Sequence, residues 1–314
     1  MTAATGQESL LAPRNLAAFL LVSVIWGGTW LVIRDQISSV PPSWSIAWRF
    51  VVAALGMFVL ARVRGEPLAL PRYGWKWAVA LGFFQFSFNF SFVYNAEGYI
   101  TSGLVAVMFA LLVVPNAVLG KIFLGQPIRR EFVIGSTIAA IGVAMLFAQE
   151  WRASPATLGE VLLGAALTCG GILSASVANI AQAMEGAKRL PLLTLLAWSM
   201  AAGVVINALF ALATQGPPQY DMRPEYTLGV VYLGLMGSVV TFPLYYGLVR
   251  KVGAGTAAYS SVVVPIVAMI LSTLFEGFVW GPLPAAGAVI TLAGMVVAMR
   301  GRAAPPPRRA TPEP

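Results

Sequence analysis

The sequence predicts an all-α integral membrane protein of ten transmembrane helices, built as two inverted five-helix repeats. Three observations carry that fold class. The first is composition. Of 314 residues, 58% are hydrophobic and 10% charged, against roughly 45–50% apolar and 25% charged in an average soluble domain. So little charge does not cover a globule of this size, which excludes a water-soluble enzyme, a disordered chain and a collagen-like fibre. The second is that apolar stretches recur in windows of about 20 residues, the length a helix needs to cross hydrocarbon. The third is that Lys and Arg crowd into alternate loops.

In chain order the windows are 16–34, 44–62, 77–95, 102–123, 132–149, 158–180, 191–213, 226–248, 255–275 and 282–300. The first is too long for a removable signal, and no small-residue cleavage pattern follows it. In the third, Phe84, Phe86, Phe88, Phe90, Phe92 and Tyr94 alternate with smaller residues, which is the period of a strand. A lone strand in lipid would leave its backbone groups unsatisfied, so the helical reading prevails. The fourth and ninth windows carry Pro115 and Pro265 near their middles; each removes a helical hydrogen bond and kinks its helix. What remains is short loops, a tail at 1–15, and a Pro- and Arg-rich tail at 301–314 expected to be disordered. The Asn89-Phe90-Ser91 sequon lies inside a span and is discounted.

Orientation follows from the cations, because cytoplasmic loops hold the excess of Lys and Arg. With the N-terminus inside, the cytoplasmic side receives Arg14, Arg62, Arg64, Arg72, Lys76, Lys121, Arg129, Arg130, Lys188, Arg189, Arg250, Lys251, Arg300, Arg302, Arg308 and Arg309. The outside receives Arg34, Arg152 and Arg223, and Arg49 stays within a span. Sixteen against three puts both termini in the cytoplasm. The net charge of +8 is thereby explained without a nucleic-acid partner. The expected partners are membrane lipid and a small-molecule substrate.

The two halves echo each other. Gly103, Pro115, Gln126, Gly135 and Gly142 read like Gly253, Pro265, Glu276, Gly287 and Gly294, at an offset of 150 and then 152 residues. Ala139 and Thr291 extend the stripe of small residues, and Gly27-Gly28 aligns loosely with Gly170-Gly171. The repeats are therefore drawn as 16–149 and 150–300. Five spans per copy is an odd number, so the second copy enters the membrane upside down. Inverted repeats related by an axis in the membrane plane are the architecture of many secondary transporters, with the substrate site near the midplane.

The run Ile25-Trp26-Gly27-Gly28-Thr29, the run Trp48-Arg49-Phe50 and the Pro-centred spans 4 and 9 together resemble the EamA family of the drug/metabolite transporter superfamily, over about residues 16–300. The resemblance implies a bacterial inner-membrane exporter of amino acids, aromatic ones in particular, or of related metabolites, working without a cofactor. Gln126 stands where the second copy has Glu276, so a charge-dependent role there does not carry over to the first half.

Small and polar residues on a membrane helix normally turn away from the acyl chains. Span 3 offers Ala78, Gly82, Gln85, Asn89 and Phe92 on one stripe; span 8 offers Gly234, Gly237, Ser238, Thr241 and Tyr245. Span 1 adds Ser23, Trp26, Gly27 and Trp30, and span 6 adds Thr168, Gly171, Ala175 and Asn179. Each residue alone reads as ordinary packing; the four stripes together read as a cavity. An aromatic lining suits an aromatic or amphipathic solute through stacking and cation–π contact. Tyr94, Asn95, Glu97 and Tyr99 are expected at the outer mouth, where an interfacial aromatic belt is the alternative. Pro115 and Pro265 read equally as bending gates or as static kinks. For Arg49, bonding to neighbouring backbone carbonyls is favoured over contact with a substrate carboxylate.

The sequence also says what does not drive the protein. It has no histidine, which removes most zinc sites and Ser-His or Cys-His catalysis. The twelve carboxylates fall at span ends, in loops or in tails, so the usual intramembrane proton relay is missing. Gly120-Lys121 is followed by Ile122, so there is no P-loop for ATP. The single cysteine, Cys169, permits no internal disulfide. Facilitated export down the solute gradient is the expected mode, with proton exchange, a different solute, and a membrane-embedded enzyme as the rivals.

Overall fold

The computed structural model describes residues 9–125, 127–153, 157–252 and 260–300. Gln126, the 301–314 tail and the first residues of the 255–275 window lie outside them. The described chain is helical, and we number its long runs in order. They are α1 (Pro13–Gln36), α2 (Pro42–Val63), α3 (residues 74–96), α4 (Ser102–Leu124), α5 (Arg130–Ala153), α6 (Leu158–Ala183), α7 (Leu192–Gln215), α8 (residues 224–252), α9 (Ser260–Phe275) and α10 (Pro282–Arg300). Nine of the ten windows fall wholly or almost wholly on these runs, and the ninth does so over its described part.

Among the described residues, seven helices (α1, α2, α4 to α8) are long and apolar enough to cross a membrane, and Val263–Phe275 and Pro282–Ala298 are apolar but shorter. Only 33–50% of each of the seven windows is buried within the protein. The rest presents side chains such as Leu20, Val24, Leu55, Val59, Leu209 and Leu228 outward, as lipid contact requires.

Local chemistry explains where the helices begin and end. α1, α2 and α8 each start with proline in the first turn, where the missing N–H costs nothing. α6 starts on a capping box: the Thr157 hydroxyl accepts from the Glu160 amide at 3.3 Å, and the Thr157 amide donates to Glu160 Oε2 at 2.7 Å. α4 stops at Gly125, whose φ of +66° is left-handed and open chiefly to glycine.

Two of the described runs loosen to a π-helical turn partway along their length. α3 has a π-helical turn at Phe84–Phe88, and α8 has another at Leu235–Val240. α4 tightens to a 3-10 turn at Ala110–Leu112, just before Pro115, whereas α9 stays α-helical through the buried Pro265. The expected proline disturbance is therefore visible as a change of winding in α4 alone.

The helices pack in a definite set of pairs: α2 on α7, α4 on α9, α5 on α10, α1 on α9 and α8, α6 on α4 and α3, α3 on α7, and α2 on α8. The α5–α10 seam is the closest. A Cβ on Gly135, Gly142, Gly287 or Gly294 would fall on the backbone of the facing helix, which is how small residues let membrane helices approach. Trp48 Nε1 donates to Gln219 O at 2.8 Å, and Trp198 Nε1 donates to Leu68 O at 2.7 Å. These two bonds tie α2 and α7 to loops at opposite ends of the bundle.

Candidate functional site

The π-turns set the centre of the protein. Each inserts an extra residue into a helical turn, which rotates the following half of the helix. In α3 the rotation brings Phe86, Phe90 and Tyr94 inward. In α8 it brings Ser238, Phe242 and Tyr246 inward. The rings interlock around α1 and α2: Trp26 meets Phe242 at 5.7 Å and Tyr245 at 5.1 Å, while Phe50 meets Phe86 at 5.2 Å and Phe90 at 5.0 Å. Phe86 closes the chain onto Phe242 at 5.4 Å. Trp30 lies against Phe109 of α4 at 5.2 Å, and its indole N–H is buried without a partner. The tilted and edge-on geometries are those aromatic quadrupoles favour.

One cation sits among these rings. Arg49 is 2% exposed, with its guanidinium carbon 4.3 Å from the centre of the Phe90 ring and 5.3 Å from that of Phe50. Its Nη2 reaches Ser238 Oγ at 3.5 Å, and Nε and Nη1 have no hydrogen-bond partner. The expected bonds to neighbouring backbone carbonyls are not made. Ser238 instead donates to Leu233 O at 2.9 Å, through the π-turn.

A Tyr–Gln hydrogen bond stands on each side of the centre. Tyr94 donates to Gln36 Oε1 at 3.1 Å, and Gln182 donates to the Tyr246 hydroxyl at 2.5 Å. Beyond Tyr94 lies Glu97, 0% exposed and with both carboxylate oxygens unpartnered. Burial and the charge of Glu276 push its pKa well above the usual carboxylate range, against the pull of Arg34 and Arg49. Glu276 itself accepts a 2.5 Å hydrogen bond from Ser102, tying the start of α4 to the end of α9.

The other anticipated residues divide. Gln85 is buried in the π-turn, and Asn89 is buried with its Oδ1 unpartnered. The Asn89 backbone and Phe109 both press on Gly171 of α6. Asn179 is half-buried on α6. Thr241 is spent on its own helix, donating to Gly237 O at 2.8 Å. Phe92 does not join the interior. Its ring lies against Gly170 and the exposed Phe88, on the outer side of the α3–α6 contact. Asn95 is exposed and bonds back to Ser91 O, and Tyr99 is 38% exposed against Gly164.

Sequence reading overlooked Phe50, Phe109, Phe242, Tyr246, Gln36 and Gln182 as members of the centre. Their convergence depends on packing and on the π-turns, which no spacing rule anticipates. A cavity of about 400 Å³ is lined by Leu60, Arg64, Glu66, Leu192, Leu193, Pro243 and Leu244, with no aromatic ring in its wall.

Helices that turn apolar faces to lipid and close aromatic rings around a single cation make a solute-handling membrane protein. The chain belongs to the EamA-like transporter family, whose sequence pattern matches it twice, over residues 14–148 and 162–300. It is a multi-pass membrane transporter of small molecules, in a family of transporters and not of enzymes. It is 24% identical to protein PagO of Salmonella typhimurium, over 83% of this chain and 84% of that protein. It is 23% identical to a probable amino-acid metabolite efflux pump of the same organism, over 90% and 93% of the two chains. It is also 26% identical to the inner membrane transporter YedA of Escherichia coli, over 83% and 82%. A solved crystal structure matches the fold with a TM-score of 0.67 at 19% identity, covering 91% of this chain and 98% of the other.

Proposed function

We propose that this protein exports amino acids, aromatic or otherwise apolar, across the bacterial inner membrane by alternating access between two inverted repeats, residues 16–149 and 150–300. The observation that carries the reading is the aromatic centre, because both halves build it: Trp26, Phe50, Phe86 and Phe90 from the first, Phe242, Tyr245 and Tyr246 from the second. A site of that composition suits a side chain with a flat apolar face. The similarity to a probable amino-acid metabolite efflux pump points the same way.

Several features support the inverted repeats. Shifting every helix number by five carries the packed pairs named above, the main ones, onto one another. The π-turns occur in α3 and α8, which are counterparts. The Trp48 and Trp198 hydrogen bonds are 150 residues apart and fasten opposite ends of the bundle. The Tyr94–Gln36 and Tyr246–Gln182 bonds are likewise counterparts. In this scheme they are the two latches, one toward each surface, that must open in turn. The charge asymmetry of the loops puts the Tyr94 latch outside, the Tyr246 latch inside and both termini in the cytoplasm.

The test is counterflow in proteoliposomes with a panel of amino acids. Exchange of phenylalanine, tyrosine, tryptophan or the large aliphatic amino acids is the expected result. Exchange of none of them, with another class of metabolite accepted, would refute the reading.

A further inference from the structure

The centre holds a charge that no carboxylate among the described residues pairs with; its neighbours are the Phe50 and Phe90 rings, Ser238 and Tyr94. A guanidinium stays protonated at any physiological pH, and at a helix centre an arginine costs about 2.5–3.5 kcal/mol on insertion scales. Such a residue normally pairs with a carboxylate or with backbone carbonyls. Arg49 does neither. Among the described residues the ion pairs are Lys188–Glu185, Arg223–Asp35 and Arg223–Asp221. Glu97 is within electrostatic reach of Arg49 yet makes no bond to it.

The surroundings of Arg49 hold it in place without satisfying it. The Phe90 ring lies under one face at 4.3 Å, which fixes the plane of the fork and leaves its N–H edges free. Ser238 is anchored by its own bond to Leu233 O, so its oxygen is a weak acceptor for Nη2 at 3.5 Å. The ends of the aromatic cluster lie around this group: Phe50, Phe86 and Phe90 on one side, Phe242 and Trp26 beyond. A planar cation with unused donors beside an apolar, aromatic wall matches one chemical pattern. That pattern is a carboxylate carried on an apolar or aromatic body.

We propose that Arg49 is the anion-binding residue of the transport site, and that the substrate class is defined by a free carboxylate. This rests on the reading of the centre as the solute site. The carboxylate bridges one edge of the fork, Nη2 with either Nε or Nη1, displaces the long contact of Nη2 to Ser238, and neutralises the buried charge. Amines and amides of the same shape leave the guanidinium unpaired and are rejected, since a site built for a polar partner discriminates strongly against an analogue that lacks it.

The experiment measures ligand-induced thermal stabilisation of the purified full-length protein in detergent. The probes are L-phenylalanine, L-phenylalaninamide and phenethylamine, with wild type, Arg49→Met and Arg49→Lys. Wild type is stabilised by the acid and not by the amide or the amine. Arg49→Met retains the fold and loses the response, and Arg49→Lys binds the acid at least 10-fold more weakly. Equal stabilisation by acid and amide, an unaltered response in Arg49→Met, or no response of wild type to any probe overturns the assignment. Counterflow in the same preparations separates the two readings. Wild type that exchanges apolar amino acids, with an Arg49→Met variant that does so equally well, sinks the arginine's role and leaves amino-acid export standing.

Discussion

Glu97 permits a prediction that depends on burial and not on transport. Its carboxyl is wholly enclosed, has no hydrogen-bond partner, and faces the charge of Glu276 just past the end of α9, with Arg34, Arg49 and Tyr94 as the other ionisable groups around it. Burial raises its pKa first, Glu276 raises it further, and the two arginines oppose them. A carboxyl whose pKa rises on folding binds its proton more tightly in the folded chain. It therefore favours the folded state at low pH, and that advantage is lost as pH climbs from the ordinary carboxylate value toward the raised one.

Replacing Glu97 by Gln removes the charge while keeping shape and volume. Above neutrality the variant escapes the extra cost of an ionised over a neutral unpaired group, on the order of 1–3 kcal/mol, while its amide stays unpaired as the protonated acid does. At ~2–4 °C per kcal/mol for chains of a few hundred residues, a rise in Tm on the order of 2–12 °C is expected near pH 8. The gap should close by pH 4.5. Thermal unfolding of both proteins in detergent across that range supplies the measurement. Parallel curves at every pH, or a wild type that gains stability as pH rises through this interval, would contradict the burial of an unpaired carboxyl at this position.

Two further outcomes follow from the packing. Valine at position 142 places a side chain where a Cβ alone would lie 2.5 Å from Gly287 O and the Thr291 amide. Overpacking of about 1–3 kcal/mol or more should lower the Tm in detergent, while Gly247→Ala, whose Cβ meets nothing within 4 Å, leaves it unchanged or higher. Replacing Pro265 by Ala in the buried stretch of α9 restores a hydrogen-bonded backbone there. If α9 bends as a gate, cysteines placed along it change their reactivity toward reagents added from the two sides; unaltered labelling from both assigns the proline to a static kink.

Much of the architecture was legible in composition and spacing. The stripe Gly135, Ala139, Gly142 against Gly287, Thr291, Gly294 is the α5–α10 seam, and a small-residue period has few other uses between membrane helices. Trp26, Tyr245 and Ser238 were readable as interior because polar and amphipathic residues avoid the acyl chains. Phe92 misled for one reason. An ideal 3.6-residue period was carried through span 3, and the π-turn at Phe84–Phe88 shifts every later side chain around the helix. The carboxylates misled differently. Glu97 lies at a span end in the sequence, and a span end says nothing about whether neighbouring helices cover it.

The sequence by itself determined that this chain lives in a membrane and where its long apolar helices fall, and its family pattern recurs in both halves. Those properties depend on averages over some twenty residues, and averages survive local irregularity. Only the tertiary structure decided which groups are left unanswered at the centre. Whether Arg49 is paired depends on what neighbouring helices such as α3 and α8 bring within about 3 Å of it, and that is a property of packing, invisible to any count along the chain.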